Sequence, residues 1–122
     1  MTASPSPRAV LDSAISEKQF QANVIALARL NHWAVYHAYD SRRSEPGFPD
    51  LVLIRDGKLL FAELKTERGR VSAAQKHWLE ELLTVTRATW RYGAADGVVS
   101  VYVWRPSQWA QIEAVLTRKG AA

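Results

Sequence analysis

The sequence predicts an α/β sandwich, a sheet with helices on both faces, and two observations carry that reading. Two apolar strands, Asp50–Arg55 and Lys58–Lys65, flank Asp56-Gly57, the strongest short-range signal for a tight β-hairpin. Both faces of this hairpin are apolar, with Leu51 and Leu53 on one side and Val52 and Ile54 on the other. That pattern fits central strands covered by helices on each face.

The remaining elements follow in order. Residues 1–12 are rich in Ser, Pro and Ala without an apolar period and read as a disordered arm ahead of a domain spanning 13–118. Ser16 followed by Gln19 is a capping-box pattern, and Phe20, Val24, Leu27 and Ala28 recur at helical spacing, predicting a helix from Glu17 to Leu30. Trp33 to Tyr39 reads as a strand, followed by a polar loop and the Pro46-Gly47-Phe48-Pro49 turn. After the hairpin, a basic loop leads to Ser72, a plausible N-cap for a helix carrying Trp78, Leu79, Leu82 and Leu83. Residues 84–97 are compatible with helix or strand. Val98 to Trp104 reads as a strand, and Pro106-Ser107 opens a last helix with Trp109, Ile112, Val115 and Leu116.

Composition narrows the function classes. The 122 residues suit one domain, with 48% hydrophobic and 23% charged residues, which excludes fibrous and largely disordered classes. The absence of cysteine removes disulfide frameworks, thiolate zinc sites and cysteine nucleophiles, and fits a reducing, cytoplasmic setting. No apolar run approaches the roughly 18 residues that span a bilayer, and no signal-peptide core opens the chain, so no membrane partner is expected. A net charge of +4 tilts the chain mildly toward polyanionic partners.

A two-residue turn at Asp56-Gly57 pairs Arg55 with Lys58 and, counting outward, sets Asp50 opposite Glu63. Opposed residues have Cβ atoms about 5 Å apart, where two bare carboxylates repel. Lys65 lies one pleat beyond Glu63 on the same face. Two carboxylates and an ammonium therefore converge. Such a group is either a salt-bridged cluster at a hairpin end or a Mg²⁺ site for phosphodiester hydrolysis, where a metal stabilises transition-state charge and a cation orients water.

The residues around it add a family resemblance. Pro49-Asp50 followed by Glu63-Leu64-Lys65 matches the PD-(D/E)XK nuclease signature, and the wider set resembles the virus-type replication-repair nuclease family, VRR-NUC. That set runs Pro46-Gly47-Phe48-Pro49-Asp50-Leu51-Val52, Phe61-Ala62-Glu63-Leu64-Lys65-Thr66, Gly69-Arg70, and Ser72 through Gln75 to Trp78. The resemblance implies a stand-alone nuclease domain with a mixed, restriction-endonuclease-like sheet flanked by helices. It also implies Mg²⁺, with Mn²⁺ as substitute, held by Asp50, Glu63 and the Leu64 carbonyl, and water oriented by Lys65. Glu17 would be an outer acidic residue reaching the metal through water, although an acid in a first helical turn is favoured by the helix dipole in any case. Gln75 shares the core-facing stripe of its helix and is either a satisfied core amide or a site residue bonded to water, Lys65 or phosphate.

Arg42, Arg43, Arg68 and Arg70 flank the site on two loops, where they either meet DNA phosphates or are solvated charge. His32, His37 and His77 show no ligand spacing, and His37 is the one nearest the site. The expected activity is a Mg²⁺-dependent DNA endonuclease acting on branched or four-way junction DNA in repair or recombination. A non-catalytic DNA-binding module of the same fold is the alternative. Paired cuts from one site per chain imply a two-fold homodimer, with Trp90, Tyr92, Tyr102 or Trp104 as anchors where exposed and as core residues otherwise.

Overall fold

The computed structural model describes residues 4–38, 45–86 and 98–117. Arg42, Arg43, Trp90, Tyr92 and most of the undecided 84–97 segment lie outside them. The elements are α1 (Pro7–Ala14), α2 (Glu17–Leu30), β1 (Ala34–His37), β2 (Leu51–Arg55), β3 (Lys58–Leu64), α3 (Ala73–Thr86), β4 (Val98–Trp104), a 3-10 turn (Pro106–Gln108) and α4 (Trp109–Thr117). The strands form one sheet in the order β1-β2-β3-β4, antiparallel except for the parallel β3–β4 pair. The sheet is therefore mixed, and the α/β expectation holds. No helix among the described residues is long and apolar enough to cross a membrane.

The hairpin folds in the register that its turn dictates. Asp56 and Gly57 both have positive φ, +48° and +77°, which matches the right-handed strand twist and pairs Arg55 with Lys58. Leu51, Leu53, Leu60, Ala62 and Leu64 then share one face, buried against Phe20, Val24 and Ala28 of α2 and Ile112 and Leu116 of α4. Each large side chain buried here contributes about 1.5–3 kcal/mol. The far end of this core is locked by Trp33 Nε1, which donates to the Leu116 carbonyl at 2.9 Å, and by Arg55, which donates to the Asn31 and Leu116 carbonyls.

The opposite face departs from expectation. Phe48 packs edge-on against Phe61 of β3 and Trp78 of α3, so α3 covers that part of the sheet. Toward the β1 edge, however, Tyr36 and Ile54 remain 65% and 53% exposed. Among the described residues α3 is the helix on this side, and it covers the β3–β4 half of the sheet.

A further correction concerns the start of the chain. Residues 7–14 form α1 rather than a disordered arm: Ser6 Oγ accepts from the Ala9 N–H, Pro7 occupies a position that needs no N–H, and Ile15 packs against the core. The apolar residues Val10, Leu11, Ala14 and Ile15 fall on both sides of residue 12, so the stretch up to Asp12 holds too few of them to reveal the period. Trp104 is buried in the core, and Tyr102, stacked on it, is partly buried, so these two take the core role that the sequence also offered.

Gly47 joins the loop before β2 to α3. Its φ is +91°, and a Cβ there would lie 2.3 Å from the Ala74 carbonyl carbon and 2.6 Å from the Gln75 nitrogen. Both are backbone atoms that cannot step aside. Gly47→Ala is therefore expected to cost ~2–4 kcal/mol and lower the melting temperature by roughly 10 °C. Melting at the wild-type temperature would show that the loop is not seated on α3.

Candidate active site

Asp50 immediately precedes β2, whose first residue pairs Leu51 with Ala62, so the ladder brings it beside Glu63. The Leu64 N–H donates to Asp50 Oδ2 at 2.9 Å and fixes the carboxylate against the end of β3. The next N–H, that of Lys65, donates to the Trp104 carbonyl at 3.0 Å, so β4 holds the strand end from the other side. Asp50, Glu63 and Lys65 are thus brought together as the turn register requires.

Glu63 is 1% exposed. Its Oε1 accepts from Gln75 Nε2 at 3.0 Å and lies 3.9 Å from Lys65 Nζ, while Oε2 is buried with no hydrogen-bond donor among the described residues. Burial, then the Asp50 charge and a hydrogen bond shared with Asp50, then Glu17, push the Glu63 carboxyl from 4.5 up to about 8, against the opposing pull of Lys65. The orphaned oxygen and the raised affinity for a proton have one origin. With both carboxylates charged, no donor serves Oε2, and a proton bridging to Asp50 relieves both desolvation and repulsion.

Gln75 is held at both ends. The Ser72 N–H donates to its Oε1 at 2.8 Å, and the Gln75 N–H donates to Ser72 Oγ at 3.1 Å, a reciprocal capping box that starts α3. With Oε1 committed to the cap, the amide NH₂ must point at Glu63. The α3 N-terminus also brings its partial positive charge beside the carboxylate pair.

Glu17 occupies the first turn of α2, where Ser16 Oγ caps the helix by accepting from the Gln19 N–H. Its charge reaches Glu63, yet among the described residues no three acidic or histidine side chains converge on one point. The adjoining carboxylates are therefore Asp50 and Glu63, and Glu17 stands outside the pair. Hard oxygen donors with one unsatisfied lone-pair set suit a divalent cation such as Mg²⁺.

Arg68 and Arg70 are exposed on the loop that follows Lys65, with no ion pair among the described residues. That loop is fastened by Arg105, absent from the sequence expectations. Its Nη1 donates to the carbonyls of Thr66 at 2.7 Å, Glu67 at 3.3 Å and Gly69 at 2.7 Å, while the Ser107 N–H donates to Glu67 Oε2. An arginine at a strand end, 36 to 39 residues from its partners, leaves no local signal. Of the histidines, His37 lines a groove with Asp50, and exposed His77 packs edge-on against Trp78.

A VRR-NUC domain family model matches residues 6–95, including Glu17, Asp50, Glu63, Leu64, Lys65 and Gln75 and stopping short of β4 and Arg105. No curated protein and no solved structure gives a significant match.

The raised Glu63 pKa sets a pH dependence. Neutral Glu63 contributes stability that is fully present below about 4.5 and is lost as pH rises through about 8. Glu63→Gln keeps the neutral state throughout. In chelator, its stability relative to wild type should climb by ~1–3 kcal/mol between mildly acidic and mildly alkaline pH, read by urea unfolding. A constant difference across that range would contradict the assigned burial and repulsion.

Proposed function

This chain belongs to the VRR-NUC family and is a nuclease-type domain, and from that premise we propose that it is a Mg²⁺-dependent DNA endonuclease, Mn²⁺ substituting. One observation carries the proposal. A buried carboxylate with an orphaned oxygen sits beside a second carboxylate and an ammonium, an arrangement that costs stability and serves no packing purpose.

Asp50, Glu63 and the Leu64 carbonyl would hold the ion, which supplies positive charge to offset the charge that builds on the phosphate oxygens. Asp50 is oriented for this by the Leu64 N–H, and Glu63 by the Gln75 amide. The Lys65 ammonium, partly buried and within ion-pair distance of Glu63, donates a hydrogen bond to the attacking water and aims it at phosphorus. Glu17 acts from the outer side of the site through water. Arg68 and Arg70, with Arg42 and Arg43, neutralise flanking phosphates.

Branched DNA, including four-way junctions, is the substrate class, with a role in repair or recombination. A two-fold homodimer is the working form, since one chain carries one such site and paired cuts need two. Light scattering with and without a junction tests the dimer. A monomer cutting opposed strands at equal rates would overturn it.

Cleavage of a labelled panel of duplex, flap and junction DNA, with and without Mg²⁺, tests the activity. Asp50→Asn, Glu63→Gln and Lys65→Ala should each lower the rate by ~10²–10⁴-fold, with DNA binding in Ca²⁺ retained within a few-fold. Any variant cutting at the wild-type rate removes that residue from the mechanism. Wild-type binding without cleavage would favour a non-catalytic DNA-binding module.

A further inference from the structure

A groove of about 620 Å³ runs between α2 and the edge strand β1 and opens at Asp50. Its α2 wall is one face of the helix. At about 100° per residue, Lys18 and Arg29 lie within ~20° of each other around the axis and about 16 Å apart along it. Both line the groove, both are exposed, and neither meets a carboxylate within ion-pair distance among the described residues. Between them Ala22 and Ala26 keep the wall low and Gln21 adds a polar group.

Charge and shape together select a ligand. Among the described residues that line the groove, the cations Lys18 and Arg29 stand at the two ends of the α2 wall, Ala22, Ile25 and Ala26 lie between them, and Asp50 is the one acid. A neutral or cationic ligand gains nothing from Lys18 and Arg29, whereas a polyanion gains from both and still needs a cation at the mouth. The sheet order sets the path: the groove lies at β1, Asp50 leads into β2, Lys65 follows β3, and the Arg68–Arg70 loop lies beyond. The groove itself runs along α2 from Lys18 to Arg29, two residues before Asn31, whose carbonyl Arg55 holds at the turn end of the hairpin.

We propose that the α2–β1 groove is a second phosphate-binding flank, seating the sugar–phosphate backbone of the DNA strand on the side of the scissile phosphate opposite the Arg68–Arg70 loop. Lys18 and Arg29 each meet a phosphate. Their separation spans about five base steps at 3.4 Å rise. This assignment rests on the endonuclease reading and extends it to residues that no sequence motif marks.

The test is DNA binding by the full chain in Ca²⁺ across a salt series, with Lys18→Ala and Arg29→Ala compared with Lys58→Ala. Lys58 adjoins the Asp56-Gly57 turn, at the opposite end of the hairpin, and controls for lost charge. Each groove variant should flatten the slope of log affinity against log salt by roughly 0.7–0.9 and weaken binding about three- to tenfold, beyond any change in the control. Because the chain has no cysteine, Ala22→Cys offers a unique attachment point for a photo-cross-linker. It should capture DNA within about five nucleotides of the cut. Slopes equal to the control together with no cross-link overturn the groove while leaving the endonuclease intact. A wild-type chain that neither binds nor cuts DNA overturns the endonuclease reading and the groove with it.

Discussion

The register of one hairpin governs both core and site. Positive φ at Asp56 and Gly57 sets the strand pairing, and since side chains alternate, a one-residue slip would turn Leu51 and Leu53 away from α2 and α4. The same slip would part Asp50 from Glu63. Apolar burial on one face therefore enforces an electrostatically unfavourable pairing at the strand end. Neither carboxylate need favour its position; the leucines that share their strands determine it.

The surroundings contain that repulsion without abolishing it. Lys65 supplies the only ammonium paired with Glu63 among the described residues, and at 3.9 Å the pairing is loose. Gln75 satisfies one oxygen and, through Ser72, ties it to the start of α3, so the helix cap and the carboxylate orientation are one hydrogen-bonded unit. The arginines divide by their partners. Arg105 spends its donors on backbone carbonyls and is structural; Arg68 and Arg70, exposed on the loop it fastens, have no such partner among the described residues.

Legibility in the sequence tracks distance along the chain. The bounds of α2 and β4, the hairpin register and the Ser72 cap were readable because each is written within a few residues as a cap, a turn or a period. The convergence of Asp50, Glu63 and Lys65 followed from counting outward from two turn residues. Gln75 was placed on the correct face, but its partner, Glu63, needed coordinates. Three features escaped for physical reasons. The apolar residues of α1 fall on both sides of residue 12 and show no period when read only up to it, half-coverage of the second face depends on where α3 lands, and the Arg105 contacts close a loop of nearly 40 residues.

The parallel pairing of β4 bears on where this domain can be cut. Every residue of β3 from Lys58 to Leu64 is matched by one of β4, from Val98 to Trp104, yet the family match ends at residue 95. A fragment trimmed to the region of recognisable similarity would keep each carboxylate and the lysine. It would also leave Leu59, Leu60 and Phe61 on a bare sheet margin, a template for intermolecular strand addition. The boundary seen by similarity and the boundary of the folding unit thus differ by a strand and a helix. Expression trials designed from the former would meet insolubility and mistake it for an inactive enzyme.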